Sequence, residues 1–491
     1  MSPGADLGAA AVAPGPRATA ATMARMPTAD HLARLFGGQL EGERGAGQPV
    51  TAVLTDSRRA VPGAAFVAVR GAIDDGHRFV GDAGRRGALL AIVDRAWTPP
   101  ADSAGPPLLI RVDDTAAALR RACAARLEEL GCTVVGITGS VGKTTAKEMT
   151  AHVIGDRAAR TPGNLNTWTG VPCSVLSLDT EPEVYVAELA MTARGEIADL
   201  AGFTRPSIGV LLNVGISHIE LLGSQAAIAD AKAELLDALP ADGLAVLNAT
   251  DPLVAAVAPR SAAPVQWYGV GEVPQPGFSA RAVETRGLRG SAFILTTWRG
   301  DWTRVSMGAP GAHLVSTACA AAAVATRLGT PLAEVAERLG SWRPPEQRGR
   351  ILEGIGGATV YDDSYNSAPA SLHAALEVLR ASGSRRRVAV IGDMLELGEL
   401  ADTAHDNAGR EVAVAATDAV LIGDHADRMA AAAAAAGMPV ERIHVVASPE
   451  DASAVVAPLC AAGTTVLVKA SHALGLERLV EQIALPPGVA G

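Results

Sequence analysis

The chain has 491 residues, 48% of them hydrophobic, enough to bury several cores, and at roughly 150 residues per domain its length predicts about three domains. A formal charge of −10 and a pI near 5.5 argue against a broad basic surface for nucleic acid or anionic lipid, while leaving room for a local basic pocket. Five cysteines (Cys123, Cys132, Cys173, Cys319 and Cys460) form no CxxC pair or metal-ligand spacing, so neither a disulfide framework nor a zinc site is expected, and a reducing cytoplasm fits.

Residues 1–27, rich in Ala, Pro and Gly, lack the basic start and unbroken apolar core of a signal peptide and read as a disordered extension, with Met23 and Met26 as candidate starts. From 28 to 112, the short β-rich runs "AAFVAV" and "GALLAIVD" lie between Gly-rich turns and predict a small α/β domain. A helix is expected over Thr115–Leu130, followed by strands at "TVVGIT", "VYVAEL", "SIGVLLNVG" and "GLAVLNA". Strands alternating with helical stretches predict a mostly parallel sheet with helices on both faces, forming a central domain over 113–341. After the Pro-rich "SWRPPEQRGR" the alternation restarts at "ATVYDDSY", "RVAVIGDM", "DAVLIGD", "RIHVVAS" and "TTVLVKAS", which predicts a doubly wound, Rossmann-like domain over 342–491. The expected fold class is therefore α/β in three domains. "MAAAAAAAGM" is too short and too weakly apolar to span a bilayer and reads as an Ala-rich helix between strands, so no membrane anchor is expected.

The chemistry concentrates at strand ends, where open parallel sheets hold ligands. In "VVGITGSVGKTTAKEMT" an apolar run ends in a loop of Gly139, Ser140 and Gly142, and Lys143 with Thr144 and Thr145 opens a helix. Backbone N–H groups and the helix dipole there favour an anion, Lys143 is suited to the β/γ phosphates, and the Thr144 hydroxyl to Mg²⁺. The strict phosphate-loop pattern asks for a glycine where Ile137 stands, so the match rests on the retained "GKTT" and its strand-loop-helix setting. In "VYVAELAM" Glu188 ends a strand and is either a surface acid or a Mg²⁺ ligand. His218, in "LLNVGISHIELLGS", taken alone is an ordinary loop histidine. Lys232 interrupts the apolar stripe of Ile228, Leu235, Leu236 and Leu239. Two readings follow for it: snorkelling, with the stem packed and the ammonium in water, or a desolvated neutral amine that adds CO2 and becomes a metal-binding carbamate.

In this order "TGSVGKTT", "AEL", "NVGISHIELLGS" and "AKAELL" resemble the Mur ligase family of ATP-dependent amide-forming enzymes over nearly the whole chain after Pro27. The resemblance implies that Thr138, Gly139, Ser140, Gly142, Lys143, Thr144, Thr145 and Arg350 bind ATP, with Lys143, His218 and Lys232 catalytic. It also implies two Mg²⁺ ions, one on Thr144 and Glu188, the other on His218 and carbamylated Lys232. "TDSRRAVPG", with Ser57 and Arg58, is similar to the part that holds the UDP-sugar end of the substrate, and "TPGNLNTWTGVP" places Asn164 and Asn166 near the muramoyl peptide. "YDDSYNSAPASLHAAL" and "VIGDMLELGE" are similar to the branch that adds D-alanyl-D-alanine to UDP-N-acetylmuramoyl-tripeptide through an acyl phosphate, which gives Asp363, Asn366, Ser367 and Pro369 to substrate. The implied setting is peptidoglycan synthesis in the cytoplasm by a monomer that contacts neither nucleic acid nor membrane. Another Mur or folylpolyglutamate-type ligase, or a non-catalytic nucleotide-sugar-binding protein, are the competing readings. Two departures stand out: Leu314 and Thr317 replace the asparagines of "GxHNxxNxxAA", and "KASH" replaces "KGSR", putting His472 where the family has arginine.

Overall fold

In the computed structural model, residues 26–42, 45–71, 74–100 and 105–486 are described. Most of the expected N-terminal extension, residues 1–25, lies outside them. Three sheets follow one another along the chain, over residues 39–112, 133–307 and 350–469.

The first sheet has the order β1 (Gln39–Glu41), β5 (Leu108–Val112), β4 (Leu90–Asp94), β3 (Ala65–Val67) and β2 (Val53–Leu54), with only β1 antiparallel to its neighbour. The run "GALLAIVD" becomes β4, buried at every position, as a parallel strand covered on both faces must be. The helix Thr115–Leu130 starts at Asp114, whose carboxylate accepts from Ala117 N–H at 2.9 Å, and stops at Gly131, whose φ of 60° suits glycine. Its Ala118, Leu119 and Ala122 share a core with the first sheet and with Cys173 and Leu176 of the central unit's helix Gly170–Leu176, so this helix glues the two units together.

The central sheet runs β14 (Trp302–Met307), β13 (Ser291–Thr296), β12 (Gly277–Thr285), β11 (Val265–Val270), β10 (Leu244–Asn248), β9 (Ile208–Leu211), β6 (Thr133–Thr138), β8 (Val184–Glu188) and β7 (Ala158–Arg160). It is parallel from β7 to β12, and β13 and β14 then close one edge as antiparallel ribbons. The helix Gln225–Asp237 lies flat on β6 and β9 because Gly136 and Gly209 leave room: a Cβ on Gly136 would sit 3.1 Å from Leu189 and Leu235, and one on Gly209 3.0 Å from Leu239. The third sheet has the order β15 (Arg350–Glu353), β16 (Thr359–Asp362), β20 (Thr464–Lys469), β17 (Arg386–Gly392), β18 (Asp418–Ile422) and β19 (Ile443–Val446), parallel apart from β15. The Ala-rich run lies in the helix Ala426–Ala435, and no helix among the described residues is long and apolar enough to cross a membrane.

Candidate active site

The carboxyl ends of β6, β8, β9 and β10 face those of β16 and β20 across a cavity of about 460 Å³. One wall carries Ser140, Gly142, Lys143, Thr144, Thr145, Asn164, Asn166 and Glu188; the opposite wall carries Asp363, Asn366, Ser367 and Lys469. The two substrate-facing regions expected from sequence thus meet in one space.

The phosphate loop is built by close approach. At Gly139 a Cβ would come within 2.9 Å of Leu212, so only glycine lets the loop rest on the segment after β9. Gly142 caps the helix Lys143–Ile154 at φ 82°, with open space where a side chain would stand. Asn213 clamps the loop from outside: its Oδ1 accepts from Val141 N–H at 2.9 Å, and its Nδ2 donates to Val141 O at 3.0 Å. Lys143 folds back over its own loop, donating to Gly139 O at 2.8 Å and Ser140 O at 3.3 Å. Burial lowers its pKa, against the pull of Glu188. Below the loop, Thr138 is fully buried, and its hydroxyl has no hydrogen-bond partner among the described residues.

Glu188 pairs with Ile137 in the sheet register, which sets its carboxylate beside the helix that follows the loop. Its Oε2 accepts from the Thr144 hydroxyl at 2.9 Å and its Oε1 from Asn166 Nδ2 at 2.8 Å. Burial alone would raise its pKa; Lys147 and then Lys143 outweigh that and hold the carboxyl below its ordinary value. A buried, ionised carboxylate beside a hydroxyl is a hard-oxygen pair, the donor set Mg²⁺ takes.

Lys232 is 1% exposed, and among the described residues its ammonium makes no hydrogen bond or ion pair. The stripe around it is buried as its spacing predicts, so the stem is packed as both readings of Lys232 require, with 1% of the residue left exposed. Burial first, and Lys143 second, lower its pKa well below the ordinary lysine value. His218 stands in the left-handed region at φ 65°, and its Nδ1 lies 2.9 Å from Glu396 Oε2 of the C-terminal domain. Neither His218 nor Lys232 lines the large cavity.

Several expected residues fall elsewhere. Ser57 and Arg58 sit in the first domain, where Asp56 caps the short helix Ser57–Arg59 and its Oδ1 accepts from Arg58 Nε at 3.0 Å. Pro369 lines a smaller apolar cavity of about 200 Å³, with Ile216, Leu372 and Met394. Arg350 is held at the start of the edge strand β15, 3.3 Å from Glu346, and does not line the cavity. Arg348, two residues earlier, does line it, with its guanidinium 3.9 Å over the ring of Tyr365. His472 stacks on the same ring, centroids 5.3 Å apart. Leu314 and Thr317 line the cavity with Leu212, Asn248 and Tyr268. Sequence reasoning passed over Arg348, Tyr365, Asn213 and Lys147; for Lys147, its place one helical turn after Lys143 was the available signal.

Asp393, His405 and His425 also cluster in the C-terminal domain, with ligand-type atoms within 4.8 Å of one another. Asp393 and His405 are engaged in structural hydrogen bonds, Asp393 accepting from the Asp424 and His425 N–H groups, while His425 Nδ1 has no hydrogen-bond partner among the described residues. His405 Nε2 accepts from Met394 N–H at 2.9 Å, its Nδ1 donates to Ala401 O at 2.7 Å, and its ring stacks on His425 at 4.0 Å and 10°, so both nitrogens of His405 are already occupied.

The model of the Mur ligase middle domain matches residues 137–325, and that of the Mur ligase, glutamate ligase domain matches residues 347–472. The UDP-N-acetylmuramoyl-tripeptide--D-alanyl-D-alanine ligase of Bacillus subtilis is 30% identical over 94% of this chain and 99% of its own. The enzyme of that name from Mycobacterium tuberculosis is 34% identical over 93% of this chain and 97% of its own. Among solved structures, MurF from Acinetobacter baumannii superposes with a TM-score of 0.79 at 27% identity, covering 93% of this chain and 98% of that one. MurF from Thermotoga maritima in complex with ADP gives a TM-score of 0.70 at 26% identity, covering 88% and 97%. With a relative at this level of identity matched along almost its entire length, the chain belongs to the Mur ligase family.

Proposed function

We infer that the chain is an ATP-dependent, ADP-forming ligase that joins D-alanyl-D-alanine to UDP-N-acetylmuramoyl-tripeptide in the cytoplasm, making the pentapeptide precursor of peptidoglycan. The observation that carries this reading is the single cavity shared by the phosphate loop, the Asn164 and Asn166 loop and the "DDSYNS" loop. A carboxylate does not react with an amine unaided, so nucleotide, acid and amine must meet in one place. The relatives' names and "DDSYNSAPAS" favour this branch over a folylpolyglutamate-type ligase.

In the reaction the tripeptide carboxylate takes the γ-phosphoryl group of ATP, giving an acyl phosphate and ADP; the amine of D-alanyl-D-alanine then attacks the carbonyl and expels phosphate. Lys143, now resting on carbonyls of its own loop, turns to the phosphates and offsets their charge. Arg348, already on the cavity wall, serves as the cation from the C-terminal side, with Arg350 reaching the nucleotide only if the domains close further. Thr144 and Glu188 would hold one Mg²⁺, which would supply positive charge to offset that of the phosphate oxygens. A second ion fits His218 and Lys232 only if the lysine is a carbamate, because an amine offers Mg²⁺ no hard oxygen. Asn164 and Asn166 position the muramoyl peptide, Ser57 and Arg58 the UDP end, and Asp363, Asn366 and Ser367 the peptide termini, while Pro369 shapes the start of the helix behind them. The adenine rests against the wall of Leu212, Tyr268 and Leu314, with Asn248 and Thr317 as the polar groups beside it. His472 contributes through its stack on Tyr365.

Phosphate release measured with ATP, Mg²⁺ and UDP-muramoyl-tripeptide, ending in diaminopimelate or in lysine, tests the reading. Release that requires D-alanyl-D-alanine is expected. Equal release without the dipeptide, or release driven instead by a folate and glutamate, overturns it.

A further inference from the structure

Lys147 is fully buried, a costly place for an ammonium unless its charge and donors are met. It lies one turn beyond Lys143 on the helix Lys143–Ile154. Its Nζ donates to Gly163 O at 2.8 Å and stands 3.4 Å from both Glu188 Oε2 and Glu148 Oε1. Gly163 belongs to the loop whose Asn164 and Asn166 line the cavity. That loop is tied to Glu188 a second time, by Asn166 Nδ2 on Oε1, and to the segment after β8 by the Ala190 N–H on Asn166 O at 3.1 Å. One ammonium thus bridges the acid suited to Mg²⁺ and the backbone suited to the muramoyl peptide.

We propose that Lys147 is a positioning residue that couples metal binding at Thr144 and Glu188 to the ordering of the 161–166 loop, so that Mg²⁺–nucleotide and the UDP-muramoyl peptide bind cooperatively. Glu188 Oε2 is shared between the Thr144 hydroxyl and Lys147. A dication drawing on that oxygen weakens its attraction for Lys147, whose remaining acceptors are Gly163 O and Glu148. The ammonium then holds Gly163 more firmly, and the loop pays less ordering entropy when substrate arrives. Because coupling between two binding sites is reciprocal, the peptide must raise the affinity for Mg²⁺ by the same factor. A plain structural ion pair predicts no such link. The inference rests on the ligase reading for the identity of the second ligand.

The test is calorimetric titration of the intact chain with UDP-muramoyl-tripeptide, in ADP with and without Mg²⁺, and of Mn²⁺ by electron paramagnetic resonance with and without the peptide. Wild type is expected to show coupling of about 5-fold or more in both directions. Lys147→Met, which keeps the stem, is expected to bring the ratio near one while both ligands still bind; Lys147→Arg is expected to recover part of it. Undiminished coupling in Lys147→Met, or none in wild type, overturns the proposal while leaving the ligase reading in place. Failure of the wild-type chain to bind the UDP-tripeptide under any condition overturns the ligase reading itself. If Lys147→Met does not fold, hydrogen exchange of the 161–166 amides in wild type decides: slower exchange in Mg²⁺–ADP than in ADP alone is expected, and unchanged exchange overturns the proposal.

Discussion

At the scale of the residue, what separates the lysines of the site is what each ammonium meets. Lys143 rests on two carbonyls that a phosphate can replace, so its charge is available to chemistry. If Lys143 turns to the phosphates as proposed, Lys143→Ala deletes the charge that meets the transferring group, a loss of about 3 kcal/mol or more of transition-state stabilisation, or at least ~100-fold in kcat/KM. Circular dichroism is expected to be native, and turnover near wild type in a folded variant would withdraw the phosphate-loop assignment. Lys232 has neither carbonyl nor carboxylate as partner among the described residues, and burial lowers its pKa, which favours the neutral amine that addition of CO2 requires. If the carbamate forms, activity should fall in CO2-stripped buffer, and Lys232→Ala should recover only when bicarbonate is supplied with a small carboxylate, since bicarbonate alone has no amine to modify. Lys232→Met fills the same space and removes the amine; an active Lys232→Met enzyme would take the carbamate out of the mechanism and leave Thr144 and Glu188 as the metal site.

At the scale of the element, the sequence was most legible where periodicity and end signals agree. "TVVGIT" is β6 at Thr133–Thr138, and the third domain's five apolar runs are β16 to β20, because buried parallel strands must be apolar on both faces and the helices between them carry their own stripe, with the half-exposed edge strand β19 apolar all the same. The strands β12 to β14 do not read as an antiparallel edge: "FSARAVET" and "WTRVSM" do alternate, but no tight two-residue turn joins either of them to β13, so the hairpin signal is missing. Cavity-lining residues were legible where a motif named them and hidden where tertiary packing alone brings them to the cavity, as with Arg348, whose guanidinium the fold sets over the Tyr365 ring. The "DDSYNS" loop belongs to the first kind. It is tethered from β20: Lys469 Nζ lies 2.6 Å from Asp363 Oδ2 and donates to Asn366 O at 2.8 Å, so the backbone of Asn366 is fixed while its side chain is left at the cavity. Asn366→Ala should then raise KM for D-alanyl-D-alanine or the tripeptide by roughly tenfold, one charge-free hydrogen bond's worth, and leave KM for ATP nearly unchanged. The reverse pattern in steady-state kinetics would move this loop to the nucleotide.

At the scale of the whole molecule the cavity exists only while the central and C-terminal domains stay together, and two contacts near its rim compete for that role. The first is His218 with Glu396, both at φ 65° and 2.9 Å apart, with a Cβ on neighbouring Gly398 predicted only 3.1 Å from Glu220. Glu396 is 59% exposed, and a pair so solvated contributes about 0–1 kcal/mol, less in salt. The second is Ile216, a half-buried side chain of the central domain that packs on the C-terminal core beside Leu372, Met394 and Leu400. Trimming a partly buried isoleucine to alanine removes apolar contact worth about 1–2 kcal/mol, which salt does not screen. The apolar contact therefore outweighs the ionic one in holding the two domains together. Ile216→Ala should enlarge the radius of gyration of the ligand-free protein in small-angle scattering and raise KM for ATP and peptide together, because both sites borrow residues from across the interface. Glu396→Ala should change the radius little at 0.15 M salt. If instead Glu396→Ala opens the molecule while Ile216→Ala does not, the charged pair in its two left-handed turns is what latches the domains, and salt titration of the wild-type radius should then show the same opening.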